Sequence, residues 1–216
     1  MAFGIHKDFM PDEKRVAAIP DTVAKFINHG FDVHIEKGAG AGALYQDDAY
    51  IHAGATLAPD ARAVYESADV ILKVKEPMQT GNGTHEIDWM RPGSVLITFL
   101  HPAAPGNHAM IKKLGAKNIT SFTMDSIPRV SKAQRMDALT SMSTLTGYKS
   151  VLIAASHMPV VLPMLGTAIG TIRPANVLCI GAGVVGLQAI ATAKRLGAAV
   201  SAIDTRESAR VAAKSL

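Results

Sequence analysis

Two short stretches carry residue types at spacings that could do chemistry. In "GAGVVG", Gly181, Gly183 and Gly186 stand in G-x-G-x-x-G spacing between an apolar run and a helical pattern that opens with Val184 and Val185. The first glycine of such a loop permits a tight turn, the second lets backbone approach a pyrophosphate, and the third lets helix and strand close up. Asp204 ends the next apolar run, 21 residues after Gly183, and Thr205 and Arg206 follow it. An acid there accepts hydrogen bonds from a ribose 2′-hydroxyl and repels a 2′-phosphate, which favours NAD over NADP. The glycines alone are weak evidence, because such turns also arise from packing; the strand, helix and acid around them give the spacing its meaning.

The second stretch is "PRVSKAQRMDALTSM", residues 128–142. Ser131 followed three residues later by Gln134 reads as a capping box for a long helix starting near Ser131. That leaves Arg129 and Asp137 over. A surface arginine needs no special purpose, and a helix dipole favours an aspartate in its first turns, so punctuation and ligand contact both stay open for these residues. No metal is assigned, since the histidines do not pair with Cys or acids at metal-ligand spacings, and the Ser and Thr residues after Asp137 lack a nucleophile-elbow context.

The elements that must position these residues alternate between strand and helix. "FGI", "FDVHIEKG", "DVILKVKEP", "SVLITFLHP" and "NITSFTMD" read as strands, with "DTVAKFINHG" a helix stopping at Gly30 and "NHAMIKKLG" a helix ending at Gly115. Beyond them "NVLCIGAG", "VVGLQAIATAKRLG" and "AAVSAID" give strand, helix and strand. This predicts an α/β protein with two Rossmann-like lobes, the second a doubly wound parallel sheet that the sequence leaves truncated at its C-terminus. The expected division is an N-terminal lobe over 1–130, a connecting helix and linker over 131–174, and the first half of a nucleotide domain over 175–216.

Composition narrows the classes. Of 216 residues 48% are hydrophobic and 19% charged, a globular balance. The net charge of +4 is scattered, with no basic block interleaved with aromatics, so nucleic acid is not an expected partner. One cysteine, Cys179, excludes an internal disulfide and reads as a buried, inert thiol in a reducing compartment. The N-terminus has no secretory pattern. Residues 151–172 carry no Asp or Glu and no Lys or Arg over roughly the 20 residues that span a bilayer, but His157, Pro159 and Pro163 disfavour a spanning helix.

The stretch "MDSIPRVSKAQRMDALTSMSTLTGYKSVL" resembles the Arg-Gln-Asp loop and following helix of the NAD(H)-binding alpha subunit of proton-translocating NAD(P) transhydrogenases, of the alanine dehydrogenase/transhydrogenase superfamily. "GAGVVGLQAIATAKRLGAAVSAIDTR", "DEKRVAAIPDTV" and "FDVHIEKGAGAGA" resemble further parts of that family. The resemblance implies that Arg129, Gln134 and Asp137 order the nicotinamide, with Gln134 turning from helix cap to cofactor. It implies NAD(H) bound by Gly181, Gly183, Val184, Val185, Gly186, Asp204, Thr205 and Arg206, and NADP(H) on a partner domain. It also implies a membrane proton-channel component, a homodimer, and a cytoplasmic position peripheral to the inner membrane. Alanine dehydrogenases of the same superfamily give a competing expectation: Arg15, Lys75 and His101 fall where those enzymes anchor the substrate carboxylate, bind the keto oxygen and carry the acid/base imidazole. Each also reads as an ordinary strand-end charge or turn residue. A third expectation is a truncated, non-catalytic remnant acting only as an interaction module.

Overall fold

A computed structural model describes residues 1–81, 83–128 and 130–216, and for Ser131 the backbone alone. The chain divides into two compact units, 1–127 and 128–216.

The first unit is built on β1 (Ala2–Ile5), β2 (Asp32–Glu36), β3 (Thr56–Ala58), β4 (Val70–Leu72), β5 (Val95–Thr98) and β6 (Thr120–Thr123). All pair in parallel, in the order β3-β2-β1-β4-β5-β6. A wholly parallel sheet needs crossover connections that cover both faces. They are supplied by α1 (Pro20–Asn28), α2 (Asp47–His52), α3 (Ala61–Ser67), α4 (Glu86–Trp89) and α5 (His108–Ala116). The strand alternation sorts the core. Val33 and Ile35 of β2 join Ile5, Val23 and Tyr50 in one cluster, with Leu72 packed against it. Ile71, the neighbour of Leu72, joins Val64, Tyr65, Ile87 and Leu96 in the other. Each such aliphatic side chain contributes roughly 1.5–3 kcal/mol by burial.

Local chemistry sets the helix ends. Pro20 preorganises the first turn of α1, and Gly30, at φ 81°, turns the chain out after its C-cap. Asp60 caps α3 by accepting from Ala63 N–H at 2.8 Å. The stop expected at Gly115 falls later: α5 continues to Ala116, and Asn118 takes the left-handed φ of 56°. Asparagine is the commonest non-glycine residue to do so, because its side chain can bond locally.

The order of the strands reverses between β1 and β4, so the chain leaves the C-terminal ends of these neighbours in opposite directions, the kind of point at which open α/β sheets hold their functional groups. Five polar side chains meet at that point, all at most 5% exposed: His6, Asp8, Tyr65, Lys73 and Glu86. Lys73 Nζ lies 2.7 Å from Glu86 Oε1 and 3.1 Å from Asp8 Oδ1. Glu86 also accepts from Met78 N–H at 2.7 Å, and Asp8 from Val74 N–H at 3.2 Å. The Tyr65 hydroxyl sits between Glu86 Oε1 (2.7 Å) and His6 Nε2 (2.8 Å). The cluster therefore ties the loop after β1 to the turn after β4.

In the second unit α6 (Ala138–His157) packs on α7 (Val184–Arg195), beside the parallel pair β9 (Asn176–Ile180) and β10 (Ala199–Ile203), the antiparallel hairpin β7 (Leu165–Thr167) and β8 (Gly170–Ile172), and α8 (Glu207–Lys214). Gly147 permits the helix contact, since a Cβ there would lie 2.2 Å from the Val185 carbonyl oxygen. Among the described residues no helix is long and apolar enough to cross a membrane; residues 151–172 end α6 and then form the hairpin.

Candidate functional site

The glycine loop of the second unit assigns its three glycines separately. Gly181, at φ 96°, makes the turn out of β9, a conformation that a side chain would strain. Gly186 is where helix meets strand, since a Cβ there would lie 1.9 Å from the Gly181 carbonyl oxygen. At Gly183, the N-cap of α7, a Cβ would meet only Arg206 Nη2, at 3.8 Å. A side chain is thus disfavoured by backbone conformation at the first glycine and blocked by the helix–strand contact at the third, and meets almost nothing at the second. Val184 and Val185 form the first turn of α7, whose amides carry no intrahelical acceptor and face outward as a positive pole.

Asp204 follows β10 and reaches back to this loop. Its Oδ2 accepts from Ala182 N–H at 2.8 Å and from Arg206 Nη2 at 3.1 Å, while Oδ1 accepts from Arg206 N–H (2.8 Å) and Nε (3.1 Å). The Arg206 side chain first, then the two backbone N–H groups, hold the carboxyl well below the usual carboxylate range. Thr205 lies in the turn, where its carbonyl and that of Asp204 accept from Arg210 Nη1, both at 2.9 Å. A shallow cleft of about 250 Å³ beside β10 is lined by Ala182, Asp204, Arg210 and Lys214 among others. Cys179 is half-buried, and burial pushes its thiol up.

The Arg-Gln-Asp stretch departs from its expected capping. Residues 131–136 form a separate 3₁₀ turn, and α6 begins only at Ala138 with Asp137 as its N-cap. Asp137 Oδ1 accepts from Thr140 N–H at 2.9 Å, and its Oδ2 from the Thr140 hydroxyl. The capping box expected of Ser131 and Gln134 therefore does not start the long helix. Asp137, at φ −78° and ψ 76°, breaks the helical path and supplies an acceptor of the strongest capping class. Gln134 is exposed. Arg129 lies outside the described residues.

In the first unit Arg15, Lys75 and His101 come to the C-terminal side of the sheet. The Arg15 guanidinium is held by Glu13, whose carboxyl it keeps below the ordinary range with a smaller contribution from Lys75. His101 stands just past β5 at φ 47°. Its Nδ1 lies 2.7 Å from Asp125 Oδ1, and its Nε2 3.9 Å from Glu76 Oε2. Burial pushes the Asp125 carboxyl up, but the Thr123 hydroxyl, the His101 N–H and the His101 charge outweigh it and hold it low. A carboxylate-oriented imidazole at a sheet's C-terminal edge is equipped to move a proton. None of the three lines the cleft of about 530 Å³ between the loop after β1 and the turn after β2, which Lys7, Glu13, Lys14 and Glu36 help to form.

Sequence reasoning missed Asp125 and the whole Lys73 cluster. Lys73 did carry a signal, a lysine inside the apolar run "DVILKV", but Glu86 and His6 carried none. His6 gives that cluster a pH signature: burial first, then the Lys73 charge, lower its pKa from 6.5 to about 4. The unfolded chain then takes up the proton first, so stability is full above about pH 6.5 and falls as pH drops toward 4, by on the order of 3 kcal/mol at most. Urea unfolding between pH 7 and pH 4 is expected to show this slope in the native chain and a flatter one in His6→Asn; parallel slopes would remove the assignment.

Fold and site together define a two-unit α/β protein whose second unit carries, after α6 and the hairpin, a parallel strand, a glycine turn and a helix. The family model "Alanine dehydrogenase/PNT, N-terminal domain" matches residues 4–146, and that of the C-terminal domain matches residues 150–216. The chain belongs to the alanine dehydrogenase/PNT family. It is 44% identical over all its 216 residues to an NAD(P) transhydrogenase subunit alpha polypeptide of Rhodospirillum rubrum, covering 56% of that protein. It is 35% identical to the alanine dehydrogenase of Bacillus subtilis, over 94% of this chain and 52% of that one. The crystal structure of transhydrogenase from Sinorhizobium meliloti superposes with a TM-score of 0.91 at 42% identity, over the whole of this chain and 62% of that one. The chain thus spans about half the length of these curated relatives.

Proposed function

We propose that this chain forms the NAD(H)-binding part of a proton-translocating NAD(P) transhydrogenase, an oxidoreductase that passes hydride from NADH to NADP held on a partner domain. The observation that carries the reading is the glycine loop, with a left-handed turn at Gly181, close helix–strand contact at Gly186 and room at Gly183 where a pyrophosphate would need it, in a chain similar over nearly its whole length to proteins named as transhydrogenase alpha subunits. The residues present fit the group. Gly181, Gly183, Val184, Val185 and Gly186 would hold the pyrophosphate against the α7 amides, and Asp204 would receive the adenosine ribose, with Thr205 and Arg206 beside it. Arg129, Gln134 and Asp137 would order the nicotinamide and its ribose.

Bound NAD(H) supplies the hydride. The chain's own work is to position and to exclude water, and direct transfer asks it for no general acid. A subunit of this kind works with a membrane proton-channel component and an NADP-binding component, as a homodimer at the cytoplasmic face of the inner membrane.

The His101–Asp125 pair at one sheet edge with Arg15 and Lys75 favours a second reading, oxidative deamination of a small amino acid. One assay separates the two. In the intact protein with a partner NADP-binding domain, hydride transfer from NADH to an NADP analogue is expected to fall about 100-fold in Gln134→Ala, the scale of loss from a misplaced reactant, and to be unchanged in His101→Ala. Alanine-dependent NADH formation abolished by His101→Ala would replace transhydrogenase with dehydrogenase chemistry. Silence in both assays would leave an interaction module.

A further inference from the structure

The carboxylate expected to receive a ribose has no acceptor position to spare. An ionised carboxyl offers about four lone-pair positions, and those of Asp204 meet four donors: Ala182 N–H, Arg206 N–H, and Nε and Nη2 of the Arg206 fork. Two of the four are backbone and fixed. The other two belong to a side chain that is 63% exposed, holding a carboxylate that is only 6% exposed. The same guanidinium stands over the open glycine, 3.8 Å from where a Cβ of Gly183 would be.

We propose that Arg206 is a gate on Asp204: while its fork holds the carboxylate a ribose 2′-hydroxyl finds no acceptor there, and once the fork leaves, the bare carboxylate accepts the hydroxyl and repels a 2′-phosphate. This rests on reading the loop as a dinucleotide site. A free 2′-hydroxyl can donate to Asp204 only where Arg206 has swung away, so the arginine competes with the ribose. Exposed ion pairs are held weakly, which makes the gate easy to open and its effect on affinity modest. A 2′-phosphate reverses the situation: it is repelled by Asp204 but finds Arg206, Arg210 and Lys214 on the same side of the unit, and Arg210 and Lys214 already line the cleft beside Asp204. With the carboxylate charge removed, the freed Arg206 fork becomes a phosphate receptor.

The test uses two probes that share a 5′-phosphate and differ only at the 2′ position: 5′-AMP and adenosine 2′,5′-bisphosphate. Binding to the 216-residue chain is followed by calorimetry and by the amide shifts of Gly181 and Gly183. Arg206→Gln is expected to bind 5′-AMP about two- to five-fold more tightly than the native chain, the range set by releasing a weak surface pair. Asp204→Asn is expected to bind the bisphosphate at least about ten-fold more tightly than the native chain, and to lose that gain when Arg206→Gln is added. Equal or weaker 5′-AMP binding in Arg206→Gln, or a bisphosphate gain that survives the double change, would overturn the gate while leaving the nucleotide site intact. If neither probe moves the glycine amides in any variant, the dinucleotide reading itself falls and takes the gate with it.

Discussion

Lys73→Met is expected to cost the first unit about 3–5 kcal/mol, a large part of a small domain's stability. Methionine fits the stem of the lysine, so packing is largely kept and the loss is electrostatic. It removes the cation that lies 2.7 Å from Glu86 and 3.1 Å from Asp8, and leaves two carboxylates where water does not reach. Trp89, the single tryptophan, sits with its ring centroid 5.9 Å from that of Tyr65 and reports unfolding of this unit directly. Its fluorescence in a urea titration is expected to show a lower midpoint with an unchanged slope. Glu86→Gln should also destabilise, and the double variant should cost less than the sum of the singles, because removing both ends leaves less uncompensated charge than removing one. Additive losses would mean that the two side chains do not act as a pair.

That cluster also explains how the competing site is held. Asp8 accepts from the backbone N–H groups of Val74 and Lys75, at 3.2 and 3.4 Å, and Thr98 donates its hydroxyl to the Lys75 carbonyl at 2.8 Å. Lys75 is therefore placed by its backbone, on three elements, while its ammonium takes no part in the buried cluster. Arg15 is different, because Glu13 occupies its fork; a substrate carboxylate would have to displace that neighbour. The alanine dehydrogenase reading needs this exchange and the transhydrogenase reading does not.

What could be read in the sequence was whatever a short stretch determines by itself. The G-x-G-x-x-G spacing is legible because each glycine answers a local demand: a left-handed φ at Gly181 and a carbonyl in the way of any side chain at Gly186. The parallel sheet was legible from alternating strand and helix runs. The start of α6 was not, because Ser131 and Asp137 are both good caps six residues apart, and nothing local says whether the turn between them winds as 3₁₀ or α. The Lys73 cluster was not legible either. Its members come from positions 6 to 86 and meet only because β1 and β4 lie side by side.

Gly186→Ala is expected to be the most damaging single-methyl change in the second unit. The added Cβ would fall 1.9 Å from the Gly181 carbonyl oxygen and 3.3 Å from Cys179 Sγ. The first contact is with backbone, so no rotamer relieves it. Either α7 moves away from β9 or the turn at Gly181 opens, and overpacking of this kind costs about 1–3 kcal/mol or more. The two escapes predict different things. If α7 shifts, its amides should lose hydrogen-exchange protection together, because Ile190 and Ala193, each at most 5% exposed, lose their packing. If the turn opens, protection of α7 should survive, and the hydrogen bond from Gly181 N–H to the Ile203 carbonyl, 2.7 Å long, should break first. In both cases binding of NADH is expected to fall at least about ten-fold, since the α7 amides no longer face the place a pyrophosphate would occupy. Gly183→Ala separates binding from stability: its Cβ meets nothing closer than 3.8 Å, so exchange protection should be unchanged while nucleotide affinity drops. Full affinity in Gly183→Ala would show that the open side of the loop is not where the phosphates lie.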